Sequence, residues 1–138
     1  MNWKTLFEQG ELPPEGEYEV IIEEAKVSVY SSRNQGIDLK LLIRPDIEQP
    51  GQGQELEDRL VDTPNSLYKL RMLVKAIEGL QEQEWNGLHE LRKLLVGQPV
   101  RVYMRHYEDR IHEETVARIS RYIKGMPLAI EAVDSPAE

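Results

Sequence analysis

The chain has 138 residues, 40% of them hydrophobic and 30% charged, a balance that fits one folded domain with a core of its own. It contains no cysteine, which excludes disulfides, thiolate zinc sites and cysteine nucleophiles. Its formal net charge of −8 argues against a generic polyanion binder and makes the placement of charge along the chain the informative quantity.

In chain order, residues 1–16 read as an N-terminal extension. Trp3, Leu6 and Phe7 form a short amphipathic piece, and Gly10-Glu-Leu-Pro-Pro-Glu-Gly16 stops any helix. Trp3 and Phe7 suit docking on the domain or on another subunit, although large aromatics more often fill a core. Glu8 and Glu11 come too early for a signal peptide, and no apolar run approaches the roughly 20 residues that span a bilayer, so the expected compartment is the cytoplasm. Tyr18 to Val29, rich in Val, Ile and Tyr, predicts a long first strand. Its apolar parity moves from Tyr18, Val20 and Ile22 to Ala25, Val27 and Val29, which predicts a β-bulge near Glu23-Glu24.

After a polar turn from Tyr30 to Gly36, Ile37, Leu39, Leu41 and Ile43 alternate as a second strand that Pro45 ends. Pro50-Gly-Gln-Gly53 is a loop, and Glu55 to Asp62 a weaker third strand. Pro64-Asn-Ser66 can cap a helix with apolar positions Leu67, Leu70, Leu73, Val74 and Ile77. Gly79 breaks it, and a second helix over Leu88 to Val96 ends at Gly97, so a helical insert covers about 66–96. The segment from Pro99 to Tyr107 is the most informative: Val100, Val102 and Met104 share one face, while Arg101, Tyr103, Arg105 and Tyr107 share the other. A turn at Glu108-Asp-Arg110 leads to a fifth strand from about His112 to Ile123. Residues 125–138 read as an acidic C-terminal tail or a last packed extension.

Three strands, a helical insert and two strands describe a mainly β, α+β domain over residues 17–124. A strongly bent first strand and helices between strands 3 and 4 suit a five-stranded OB-like barrel. A small α+β domain with an ordinary antiparallel sheet gives a similar string.

Charge is segregated along the chain. Residues 1–63 carry 14 acidic and 6 basic side chains, whereas residues 99–124 carry 6 basic against 4 acidic. A single-strand site needs a cationic track and stacking platforms. Lys40 and Arg44 share the outward parity of the second strand, with Tyr30 and Arg33 at the loop before it. Arg110 lies between the last two strands. If Ala117 and Ile119 face the core, Arg118 and Tyr122 face outward beside Arg101 and Tyr103. Each arginine serves equally as half of a surface ion pair worth little.

Leu12-Pro-Pro-Glu-Gly-Glu-Tyr18, the turn Ser31–Gly36 feeding Ile37-Asp-Leu-Lys-Leu-Leu42, and Leu95-Val-Gly-Gln-Pro-Val100 resemble phage-encoded single-stranded-DNA-binding proteins. The resemblance spans residues 6–123; its motifs are short and glycine-based, and their order and spacing carry it. It implies an OB fold, binding of single strands without sequence preference, service in phage replication or recombination, and a host-cell cytoplasmic location. Replication or recombination proteins and a homo-oligomer are the further partners this implies, with no membrane. Two features depart from the pattern: the third strand, with Glu55, Glu57 and Asp58, is polar and lacks an aromatic, and the first half is acidic.

Nothing in the sequence supports catalysis or a cofactor. There is no phosphate loop, nucleophile elbow or Gly-x-Gly-x-x-Gly. Glu23-Glu24 and Glu113-Glu114 are neighbours that point to opposite strand faces, poor shared-proton dyads. His106 and His112 flank a turn with Glu108 and Asp109, but the spacing is not that of a zinc site. The expectation is a non-enzymatic binder of single-stranded DNA, or of RNA, through Tyr30, Arg33, Lys40, Arg44, Arg101, Tyr103, Arg105, Tyr107, Arg110, Arg118 and Tyr122. The alternative is a barrel-like adaptor for proteins, to which net acidity is no handicap.

Overall fold

The computed structural model describes residues 12–29, 35–61, 63, 67–111 and 113–128. Five strands, β1 (Gly16–Val29), β2 (Gln35–Ile43), β3 (Glu55–Val61), β4 (Pro99–Asp109) and β5 (Glu114–Lys124), form one antiparallel sheet in the order β3-β2-β1-β4-β5. Between β3 and β4 lie helix α1 (Leu67–Ala76), a 3-10 turn at Leu80–Glu82 and helix α2 (Gly87–Leu95). The long first strand joins two halves. Its Gly16–Ile21 stretch pairs with β4, its Val20–Val29 stretch pairs with β2, and the two overlap only at Val20 and Ile21. The bulge expected near Glu23-Glu24 falls between Ile22 and Glu24 and restores the inward parity with Ala25. Glu23, the extra residue, faces Glu55, and burial together with that neighbouring carboxyl raises its pKa.

The inner face supplies Val20, Ile22, Ile37, Leu39, Leu41, Ile43, Val100 and Val102, all buried. Leu70, Leu73 and Ala76 of α1 and Leu91 and Leu95 of α2 cover them, each large side chain contributing about 1.5–3 kcal/mol when fully removed from water. Helix α1 packs chiefly on β5 and also meets β3, while α2 packs on β1 and β2. Gly97 takes a positive φ that other residues resist, and its N–H reaches the Ile22 carbonyl at 2.7 Å, turning α2 back toward β4.

Two expectations need correction. The sheet is open, not a closed barrel: among the described residues β3 and β5 form its two edges and share no ladder. They are joined by side chains. The Tyr122 hydroxyl donates to Asp58 at 2.5 Å, and Lys69 of α1 donates to the same carboxylate at 2.9 Å. An inward carboxylate on β3 that needs these partners, and a helix packed across the gap, stand where strand pairing would complete a barrel. The last turn also falls later than expected, beginning at Arg110, because β4 runs on to Asp109.

Candidate nucleic-acid interface

The four outward positions of β4 follow the predicted alternation, with Val100, Val102 and Met104 buried behind them. Their chemistry divides at the middle of the strand. Arg101 donates from its Nε to the buried Glu19 carboxylate, with Glu17 at 3.6 Å from its Nη1. The hydrogen bond to Glu19 makes Arg101 hold its proton more firmly, outweighing the effect of burial. Further out, Arg105 lies directly across from Arg118 of β5, a like-charge cross-strand pair that costs stability. Arg105 sits over the Tyr107 ring, 5.8 Å from its centroid, and Arg118 has no carboxylate partner among the described residues.

Arg44 is not a surface cation. It is 1% exposed, and its guanidinium donates to Asp46 at 2.7 and 3.1 Å and to the Met126 and Pro127 carbonyls at 2.5 and 3.1 Å. The outward parity of β2 does not extend to it because the strand ends at Ile43, so Arg44 turns under the sheet's end instead of continuing its outer face. The Arg44 hydrogen bonds hold the Asp46 carboxyl below the usual carboxylate range. Gln49 completes this pole: its amide pairs with both the N–H and the carbonyl of Glu19, at 2.9 and 3.0 Å, as a strand residue would. Residues 125–128 cross it as a packed strap, with the Met126 N–H on Glu19 at 2.9 Å.

Tyr122 is likewise a correction. It is 2% exposed because the β4–β5 register shifts between two successive pairs: Arg121 faces Tyr103 and Ile119 faces Met104, leaving Ser120 as the extra residue. That bulge returns Tyr122 to the core and sends Arg121 outward, 5.2 Å from the centroid of Tyr103. Burial first, and then the Asp58 charge and hydrogen bond, push the Tyr122 hydroxyl pKa well above 10. The inward spacing of Ile119 and Tyr122, three apart, was the sequence signal for it.

Beside the β5 edge lies a groove of about 1190 Å³. Its β5 margin carries Val116 to Ser120, its sheet margin Lys26, Lys40, Glu57 and Arg59, and Tyr68 of α1 and Tyr107 of β4 also line it. The sheet margin is charge-compensated: Lys26 and Lys40 share Glu24 at 3.8 and 3.6 Å, and Arg59 meets Asp38 at 3.1 Å. Arg118 supplies positive charge on the opposite margin. Sequence reasoning missed Tyr68, Lys69 and Arg121; Tyr68 stands off the Leu70–Leu73 stripe of its helix, the one sign it gave. Arg110 lies in the β4–β5 turn. Tyr30 and Arg33 lie outside the described residues, as do His112 and most of the acidic tail. His106 is engaged by Pro13, its Nε2 being 2.7 Å from that carbonyl, and no group of three metal-ligating side chains converges among the described residues.

Fold and site together define a mainly β protein in which a curled, open five-stranded sheet leaves a groove along its seam. The chain belongs to DUF669, a family of proteins of unknown function, whose sequence pattern matches residues 4–129. Among curated proteins none matches it. No helix among the described residues is long and apolar enough to cross a membrane.

Proposed function

We propose that this chain binds single-stranded DNA without sequence preference, in the service of phage replication or recombination, and that its architecture is an open form of the OB fold. The strand order β3-β2-β1-β4-β5 with helices between β3 and β4 supports the second part, since OB folds are partly open five-stranded barrels. The observation that carries the binding reading is the Arg105–Arg118 pair beside Tyr107. Two guanidiniums facing each other without a carboxylate cost stability, and a phosphate between them turns that cost into affinity; the adjacent ring offers a stacking surface. Arg110, exposed in the turn after β4, is the further cation assigned to the site. The residues assigned to the site are thus Arg105, Tyr107, Arg110 and Arg118; Arg44, Arg101 and Tyr122 belong to the scaffold.

The test is fluorescence anisotropy of a labelled poly-dT oligonucleotide over a range of salt. A site touching about four phosphates gives a slope of log affinity against log salt near −3, and each arginine removed at the pair makes it shallower by roughly 0.7. Absence of binding at low salt, where attraction between charges is least screened, overturns the reading. It would favour the alternative, a protein-binding adaptor, which the carboxylates Glu24, Asp38 and Glu57 along the groove support.

A further inference from the structure

The groove has a wall that the site above does not use. Tyr68 lies near the start of α1, on the side away from the buried Leu70, Leu73 and Ala76, and is 54% exposed while lining the same groove as Tyr107. On the facing sheet margin Lys26, Lys40 and Arg59 are held by Glu24 and Asp38, and Glu57 adds a further negative charge. Lys69, next to Tyr68, is committed to Asp58. A polyanion entering the groove therefore meets positive charge at Arg118 that no carboxylate among the described residues pairs, and an aromatic surface at two places, Tyr107 on β4 and Tyr68 on the helix, with Ala117 and Ile119 also lining the groove.

From this placement we infer that the bound strand follows the β5 edge from the Arg105–Arg118 pair to α1, stacking one base on Tyr107 and another on Tyr68, and stays off the outward face of β2 and β3. The inference deepens the single-strand reading and rests on it. It assigns a stacking role to the helical insert, which otherwise only fills the seam between the sheet's edges. Base stacking on an aromatic ring tolerates any base, so a second platform adds affinity without adding sequence preference. Bases held at two separated rings also require a ligand able to span them, so the site favours an unpaired, flexible strand over a duplex whose bases stay stacked on each other.

The experiment uses the full chain and 5′-fluorescein-labelled dT20 at low salt. Tyr68→Ala is expected to weaken binding about tenfold or more, Tyr68→Phe to bind as the unaltered protein does, and Lys40→Gln to stay within about twofold. Thermal unfolding of the Tyr68 variants, in which an exposed ring is changed, checks that the fold is intact. Photo-cross-linking with an iodouracil-substituted oligonucleotide should place adducts on Tyr68 and Tyr107. Full affinity in Tyr68→Ala, or a large loss in Lys40→Gln with adducts confined to β2 and β3, overturns the inference while leaving the single-strand reading in place. Failure of the unaltered protein to bind dT20 rejects that reading itself, and this inference with it.

Discussion

The two ends of β4 use the same kind of residue for opposite purposes. At one end Arg101, with Arg44 beneath the sheet, is surrounded by Glu19, Asp46 and the strap carbonyls, so both cations are consumed in holding the fold. At the other end Arg105 and Arg118 face each other, with an aromatic ring for company and no carboxylate among the described residues. Residue type and strand parity are alike at Arg101 and Arg105. What separates Arg101 from Arg105 is that a distant part of the chain, at Glu19, supplies a counter-charge.

Substitutions can break that contrast, and the largest effect belongs to the scaffold. Arg44→Ala strips Asp46 and two strap carbonyls of their donor, and should cost about 3 kcal/mol by chemical denaturation. Gly125→Ala comes next. Its new Cβ would lie 2.7 Å from the Val100 backbone, too close for any flexible relief, so about 2 kcal/mol of stability should be lost as the strap lifts.

Tyr122→Phe removes the hydroxyl clasp on Asp58 and should cost about 1.5 kcal/mol. It also sharpens a pH dependence. Tyr18 is pushed by burial from 10 up to about 12, and Tyr122 is likewise raised, by burial and by Asp58. Both hydroxyls keep their protons in the folded chain at a pH where the unfolded chain has lost them. Both contributions are therefore complete below about pH 10; that of Tyr18 is lost as pH rises through about 12, that of Tyr122 is lost at alkaline pH above 10, and replacing Tyr122 by Phe should flatten the decline. The smallest effect on stability belongs to the site: Arg105→Ala with Arg118→Ala should leave denaturation unchanged or raise stability by about 0.5 kcal/mol, while poly-dT affinity falls. A marked loss of stability there would erase the distinction between the two ends.

Much of the frame was readable from the sequence because it is written in local periodicity. The bulge in β1, the alternation of β2 and β4 and the glycine that ends α2 all follow from residues within one element. The outward face of β4 was readable for the same reason. What escaped depends on partners far along the chain. The roles of Arg44 and Arg101 are decided by Met126, 82 residues on, and by Glu19, 82 residues back. Tyr122 was misplaced by one extra residue at Ser120, and the open seam was invisible because strand pattern specifies which faces are apolar, not whether the first and last edges meet.

The short overlap in β1 has a kinetic consequence. Within that strand only Val20 and Ile21 are paired to neighbours on both flanks, and the two hairpins, β2–β3 and β4–β5, diverge from that point. Each amide there points into one of the two ladders and is covered on its other flank by the second, whereas edge amides of β3 and β5 that face the seam have no ladder to leave. Hydrogen exchange should therefore be slowest around these two central residues and quicken toward the seam, so that the groove beside β5 borders the part of the sheet that opens most readily while the cooperativity of folding resides at its centre.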